Sequence, residues 1–235
     1  MARLEAVRLE ARYGRAQVLF GVGLEVNAGE AVVLLGRNGA GKSTTVKALM
    51  GLVPPSGGEV RLDGRRIDGL QPFEIARLGV GYVPEERRVF SGLTVLENLE
   101  TGRRPARPGV PDWTLTALFE LFPALAGMRQ RPAERMSGGE QQMLSIARTL
   151  AGNPALLLLD EPSEGLSPVV VQQLARMVAR IRERGTGVLL CEQNLAFARR
   201  VADRAYVMEK GALVRSGTLA ELEADPRLRE EYLSV

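Results

Sequence analysis

The sequence predicts an α/β fold with a parallel core sheet and crossover helices, an antiparallel sheet at the N-terminal end and an inserted helical lobe. Three observations carry that expectation. The apolar runs in EAVVLLG, PALLLLDE and GVLLCEQ are each followed by a turn or a helical pattern, as strands buried on both faces of a parallel sheet are. Alternating residues near RLEAVRLEARYG and GEVRLDG fit strands with one solvated face. Between about Ser91 and Leu150 the strand rhythm stops, and RRPARPGVP gives way to helical spacing in WTLTALFELFPALA and GGEQQMLSIARTLA.

The 235 residues, 45% hydrophobic and 25% charged, suffice for a substantial core in one or two compact units. A formal charge of +3 is mildly basic, but the arginines are scattered, so no nucleic-acid partner is expected. Cys191 is the only cysteine, which excludes an internal disulfide framework and fits a reducing compartment. The opening MARLEAVRLEARYG has no apolar run behind its basic residues, so no secretion signal is expected. The longest apolar stretches, ALLLL and VVLLG, fall far below the roughly 20 residues of a spanning helix. Work at a membrane would require other subunits to cross it.

In chain order, the antiparallel strands come first and the apolar strand AVVLL follows. It runs into Gly36-Arg37-Asn38-Gly39-Ala40-Gly41-Lys42-Ser43 and Thr44, a complete G-x-x-x-x-G-K-[ST] ahead of the helical TTVKALMGL. Such glycines let successive N–H groups converge on β- and γ-phosphate oxygens, and the helix N-terminus adds favourable potential. Lys42 supplies a point charge, and the Ser43 hydroxyl can hold Mg²⁺. With both flanks correct, an incidental Gly-rich turn is set aside.

The strand Leu156-Leu157-Leu158-Leu159 ends in Asp160-Glu161-Pro162. Asp160 is placed to bind Mg²⁺ through water, and Glu161 is the candidate general base for a hydrolytic water. A strand ending in solvated acids is common by itself; beside a complete P-loop it points to phosphoryl transfer. A third motif, Met136-Ser137-Gly138-Gly139-Glu140-Gln141-Gln142, is a second glycine turn opening a helix, with Ser137 also readable as an N-cap.

These motifs in this order resemble the ATP-binding cassette (ABC) ATPases over essentially the whole chain. The resemblance implies one P-loop cassette over residues 1–235, with the signature motif on an inserted lobe near 91–150. It implies two cassettes packed head to tail, so that Ser137, Gly138 and Gly139 of one cap the γ-phosphate held by the P-loop of the other. ATP and Mg²⁺ are the implied cofactors, and Tyr13 is the implied aromatic on adenine, although an isolated strand Tyr is as readily packing. The implied partners are transmembrane permease subunits, with the cassette cytoplasmic and peripheral on the inner face of the membrane.

Three positions depart from the family pattern. GYVPEERRVF resembles the segment that senses the γ-phosphate and touches the membrane subunit, and Glu85, an implied catalytic and metal residue, stands where the family usually has Gln; in SEGLSP, Ser167 stands in an Asp position; in CEQN, Gln193 stands where the family usually has His. Gln193 can donate and accept hydrogen bonds but carries no charge, and the chain has no histidine, so imidazolium chemistry is excluded. A shift of one at this strand end makes Glu192 the relevant residue instead. Together with ADRAYVMEKGALVRSGT, these segments resemble the shorter of two ATPase subunits of bacterial branched-chain amino acid importers. That implies a second, different cassette and, indirectly, a solute-binding protein. Importers of urea or short amides have a similar cassette. A non-transport cassette ATPase usually carries a coiled coil or two cassettes, neither of which is present, and a module that binds ATP without turnover stays open on Glu85 and Gln193.

Overall fold

The computed structural model describes residues 4–224, so both ends of the expected 1–235 cassette lie outside the described residues. The N-terminal alternation forms β1 (Leu4–Tyr13) and β2 (Ala16–Val26), an antiparallel hairpin turned at Gly14. In β1 the buried positions run Leu4, Ala6, then Leu9, Ala11. The step of three is a bulge at Val7-Arg8, with Arg8 left-handed at φ 48°, and it keeps the apolar set on one face. After β3 (Ala31–Leu35) and α1 (Lys42–Leu49), the strands β4 (Pro55–Leu62) and β5 (Arg65–Arg66) complete a four-stranded sheet ordered β2-β1-β4-β5.

The chain then passes through α2 (Pro72–Leu78) and β6 (Val80–Val83) into a helical stretch of α3 (Val95–Gly102), α4 (Leu115–Leu121), α5 (Pro123–Ala126), a 3₁₀ turn (Ala133–Arg135) and α6 (Gly138–Leu150). It re-enters the core at β7 (Leu156–Asp160), followed by α7 (Pro168–Glu183), β8 (Gly187–Glu192), α8 (Leu195–Val201), β9 (Arg204–Glu209), β10 (Ala212–Gly217) and α9 (Leu219–Ala224). The helical spacing expected through WTLTALFELFPALA is broken at Phe122-Pro123, because proline cannot supply the N–H that would continue α4. Trp113 lies ahead of α4, buried.

The core sheet is ordered β10-β9-β3-β8-β7-β6. All its neighbours are parallel except β9 and β10, so the sheet has one antiparallel edge that the apolar runs do not announce. Both faces are covered. Val32, Leu34, Leu156, Leu158 and Leu189 pack with α1 and the N-terminal sheet, while Val33, Leu35, Leu157, Leu159 and Leu190 pack with α6, α7 and α8. Each fully buried leucine contributes roughly 1.5–3 kcal/mol, which holds a five-residue strand with no solvated face. α1 is thereby clamped between two sheets.

Candidate nucleotide site

The strand register brings the chemistry to one edge. Leu35 pairs with Glu192 and Asp160 with Cys191, so the carboxyl ends of β3, β8 and β7 finish level, where ligands bind in open α/β sheets. Gly41 precedes α1 at φ 109°, and a Cβ there would press on Leu19 and Met208 at 3.1 Å each. No side chain caps α1, so its first N–H groups remain for an anion. A cleft of ≈ 350 Å³ opens over this end, lined by Asn38, Gly39, Gly41, Lys42, Ser43 and Thr44, together with Val18, Glu85, Glu161 and Glu164.

Lys42 is only 3% exposed and its ammonium has three partners: the carbonyls of Gly36 at 2.8 Å and Arg37 at 3.2 Å, and Glu161 Oε1 at 3.0 Å. All three of its N–H bonds are thereby matched. Glu161 is itself left-handed at φ 46° and donates its N–H to the Cys191 carbonyl at 3.0 Å. A non-glycine residue in that region costs on the order of 1–3 kcal/mol, and such residues cluster at functional sites.

Asp160 accepts a hydrogen bond from Ser43 Oγ at 2.8 Å and one from the Tyr82 hydroxyl at 3.2 Å. Burial pushes its carboxyl up against the pull of those bonds, and burial together with Asp160 pushes the Tyr82 phenol up as well. Among the described residues no cluster of three metal-ligating side chains exists. The oxygen pair of Ser43 and Asp160 nonetheless fits Mg²⁺, which keeps several waters and binds through one or two protein oxygens plus substrate phosphates.

Glu192 ties two loops together. Its side chain is 2% exposed; Oε1 accepts the Ser163 N–H at 3.1 Å and Oε2 the Asn194 N–H at 3.2 Å. Burial, with some help from the charge of Glu161, pushes its carboxyl up from 4.5 to about 6. A carboxyl raised by folding contributes most below its unfolded value and loses that contribution as pH rises through the folded one, a loss of about 2 kcal/mol here. Protonated Glu192 is close in shape to glutamine. The stability of the protein relative to Glu192→Gln is therefore expected to fall by about 2 kcal/mol between about pH 3.5 and about pH 7.5. Urea titrations at both ends check this, and a constant difference contradicts it.

Of the other residues singled out from sequence, Gly36 offers its carbonyl to Lys42, and the Ala40 carbonyl accepts the Gly211 N–H at 2.8 Å. Tyr13 ends β1 at 50% exposure and Gln193 is exposed in the bend after β8; neither lines the cleft. Ser137 caps α6, accepting the Glu140 N–H at 3.3 Å while Glu140 accepts the Ser137 N–H at 2.7 Å. The signature turn does not line this chain's own cleft. Ser167 precedes α7 without a side-chain cap bond. Val18 and Glu164 also line the cleft, and the only sequence signal for Glu164 is its place three residues past Glu161.

P-loop folds are numerous, but an antiparallel sheet, a P-loop core and a second glycine turn on α6 occur together in an ATP-binding cassette. The ABC transporter family profile matches residues 19–164, and the chain belongs to that family of ATPases. It is 45% identical over 221 residues to the high-affinity branched-chain amino acid transport ATP-binding protein BraG of Pseudomonas aeruginosa, covering 94% of this chain and 95% of that one. It is 36% identical to the lipopolysaccharide export system ATP-binding protein LptB of Escherichia coli, covering 99% and 98%. The ADP conformation of an ATP-binding cassette of an ABC transporter superposes with a TM-score of 0.84 at 25% identity over the full length of both chains. Members of the family bind ATP and ADP and work as dimers with membrane permease components. No helix among the described residues is long and apolar enough to cross a membrane.

Proposed function

We propose that this chain hydrolyses Mg-ATP as half of a head-to-tail cassette dimer and so powers import of branched-chain, hydrophobic amino acids through separate permease subunits at the cytoplasmic face. The observation that carries the solute class is the 45% identity to BraG across nearly both full lengths; the export relative LptB, at 36%, supports the second reading, outward transport. Urea or short-amide import remains the nearest alternative solute class.

The site chemistry supports turnover. An arriving γ-phosphate competes with Glu161 for the Lys42 ammonium, so binding breaks the 3.0 Å pair and frees Glu161 to take a proton from the attacking water. Ser43 and Asp160 are the residues to hold Mg²⁺, which would neutralise charge on the phosphate oxygens. Glu85, at the cleft wall, would join them in serving that ion. Gln193 lies one residue beyond the Glu192 tie between the two loops, and contact with the γ-phosphate requires it to turn inward on closure. Tyr13, exposed at the end of β1 outside the cleft, would stack on the adenine. Residues 91–150 act as the lobe that carries Ser137, Gly138 and Gly139 to the partner's ATP.

The natural partner is a second, different cassette, because a homodimer would carry Glu85 and Gln193 in both of its sites. Reconstitution in vesicles with branched-chain importer permeases, binding protein and the second cassette tests the whole reading. ATP-dependent uptake of labelled leucine is expected, abolished by Lys42→Ala. ATP hydrolysis without uptake overturns the solute class. Full transport with this chain as the sole cassette overturns the unequal dimer.

A further inference from the structure

Arg87 has no task in the site described above, although it stands two residues beyond Glu85. It does not line the cleft over its own P-loop. Its guanidinium lies instead against the first turn of α6: a Cβ on Gly138 would collide with Nη1 and lie 3.2 Å from Cζ, and a Cβ on Gly165 would be 3.8 Å from Nη2. The cation therefore sits between the signature turn and the loop that follows Glu161, in a groove shared with Glu85, Gln141 and Glu164.

That position is electrostatically poor in the isolated chain. A helix N-terminus carries partial positive charge and favours anions, yet here it faces a guanidinium. Among the described residues Arg87 has neither an ion-pair partner nor a hydrogen-bond acceptor for its side chain, whereas Arg88 pairs with Glu86 at 3.5 Å. Arg87 and Arg88 are also consecutive left-handed residues, at φ 60° and 45°. The loop is braced: Arg148 donates to the Arg88 carbonyl at 2.6 Å and stacks over Phe90 at 4.7 Å. Asn98 exchanges hydrogen bonds with the Phe90 backbone at 3.0 Å in both directions. The Glu140 carboxylate already accepts the Ser137 N–H at the start of α6, but the Arg87 guanidinium beside it has no anion of its own, and a phosphate arriving at the turn would supply one.

We propose that Arg87 is a catalytic residue supplied in trans, its guanidinium meeting the γ-phosphate held on the partner cassette's P-loop beside Ser137 and Gly138. This rests on the head-to-tail reading above. In the step it serves, water attacks the γ-phosphorus and its proton goes to the general base of the chain holding the ATP. The bond to the bridging oxygen breaks, and its electron pair stays on ADP. The planar fork of donors suits the equatorial phosphate oxygens, and a cation brought across an interface to such a transition state is a known means of speeding phosphoryl transfer. Glycine at 138 then serves to let the guanidinium reach the turn.

Complementation tests the assignment. Arg87→Ala should bind a fluorescent ATP analogue as a monomer like the parent, yet hydrolyse ATP on the order of 10²-fold more slowly, with Arg87→Lys between the two. Mixed with Lys42→Ala, which keeps Arg87 but lacks a working P-loop, Arg87→Ala should recover toward about a quarter of the parental rate, since half of the dimers are mixed and each holds one complete site. Ser137→Ala mixed with Lys42→Ala is the control for the trans arrangement itself. Recovery in the control but not with Arg87→Ala overturns the role of Arg87 while leaving the head-to-tail reading intact. Recovery in neither, in mixtures where cross-linking shows ATP-bound dimers of the two variants, overturns both, and parental turnover by Arg87→Ala alone overturns the inference outright.

Discussion

Glu161→Gln is expected to keep ATP binding, slow hydrolysis by roughly 10²–10⁴-fold and accumulate an ATP-bound dimer. The geometry gives the reason for each part. Glutamine keeps the shape of the side chain and can still offer its carbonyl oxygen to Lys42, which is separately held by the carbonyls of Gly36 and Arg37, so the P-loop keeps its form. What is lost is an acceptor for the proton of the attacking water. The ionic part of the 3.0 Å pair with Lys42 is lost as well, and an arriving γ-phosphate no longer competes with a carboxylate for the ammonium. ATP affinity should therefore be equal to or tighter than that of the parent. Single-turnover hydrolysis and equilibrium nucleotide binding, measured on the same preparation, separate the two effects. Unchanged turnover removes Glu161 from the role of base, and a large loss of affinity shows that its charge serves the P-loop more than the reaction.

The parts of this site legible in sequence are those in which adjacent residues do adjacent jobs. Gly36 to Thr44 specify a turn and a helix start within nine positions directly after an apolar strand, and Asp160-Glu161 end a strand that its own leucines identify. The apolar runs likewise give β3, β7 and β8, because burial on both faces leaves an unbroken apolar string. Other features depend on pairings between distant segments. Glu192 looks like any acid after an apolar strand, and its function as a tie appears only when Ser163, 29 residues away, is folded beside it. β6 is four residues long and contains Gly81, too short for its pattern to separate from a turn. β9 and β10 follow the motifs, and their antiparallel pairing is set by a two-residue turn at Lys210-Gly211. Arg87 is one of two adjacent arginines in sequence; the left-handed backbone of the loop and the absence of a side chain at Gly138 select it.

Lys42→Ala should abolish useful nucleotide binding, lowering monomer affinity by on the order of 10²-fold or more, since charge-assisted hydrogen bonds contribute about 1.5–3 kcal/mol each. Ser137→Ala should leave monomer affinity at the parental value and impair only closure of the dimer, because the signature turn does not line this chain's own cleft. The two substitutions also differ in what they do to the fold. Removing Lys42 leaves Glu161, 8% exposed, as a nearly buried carboxylate without its cation, and breaking such a pair from one side costs about 3–5 kcal/mol when no other partner replaces it. Removing Ser137 Oγ costs about 1 kcal/mol for a lost helix cap, and the Glu140 carboxylate still accepts the backbone N–H of residue 137. A second change distinguishes lost binding from lost folding. Lys42→Ala combined with Glu161→Gln removes both charges of the pair, so it should regain much of the stability lost by Lys42→Ala alone while regaining none of the ATP affinity. Denaturant midpoints and nucleotide titrations on the four proteins of that cycle give the coupling directly. If the double variant recovers ATP binding along with stability, the lysine acts through the fold and not on the phosphates, and equal losses of monomer affinity in Lys42→Ala and Ser137→Ala would contradict a signature turn that serves the other chain's nucleotide.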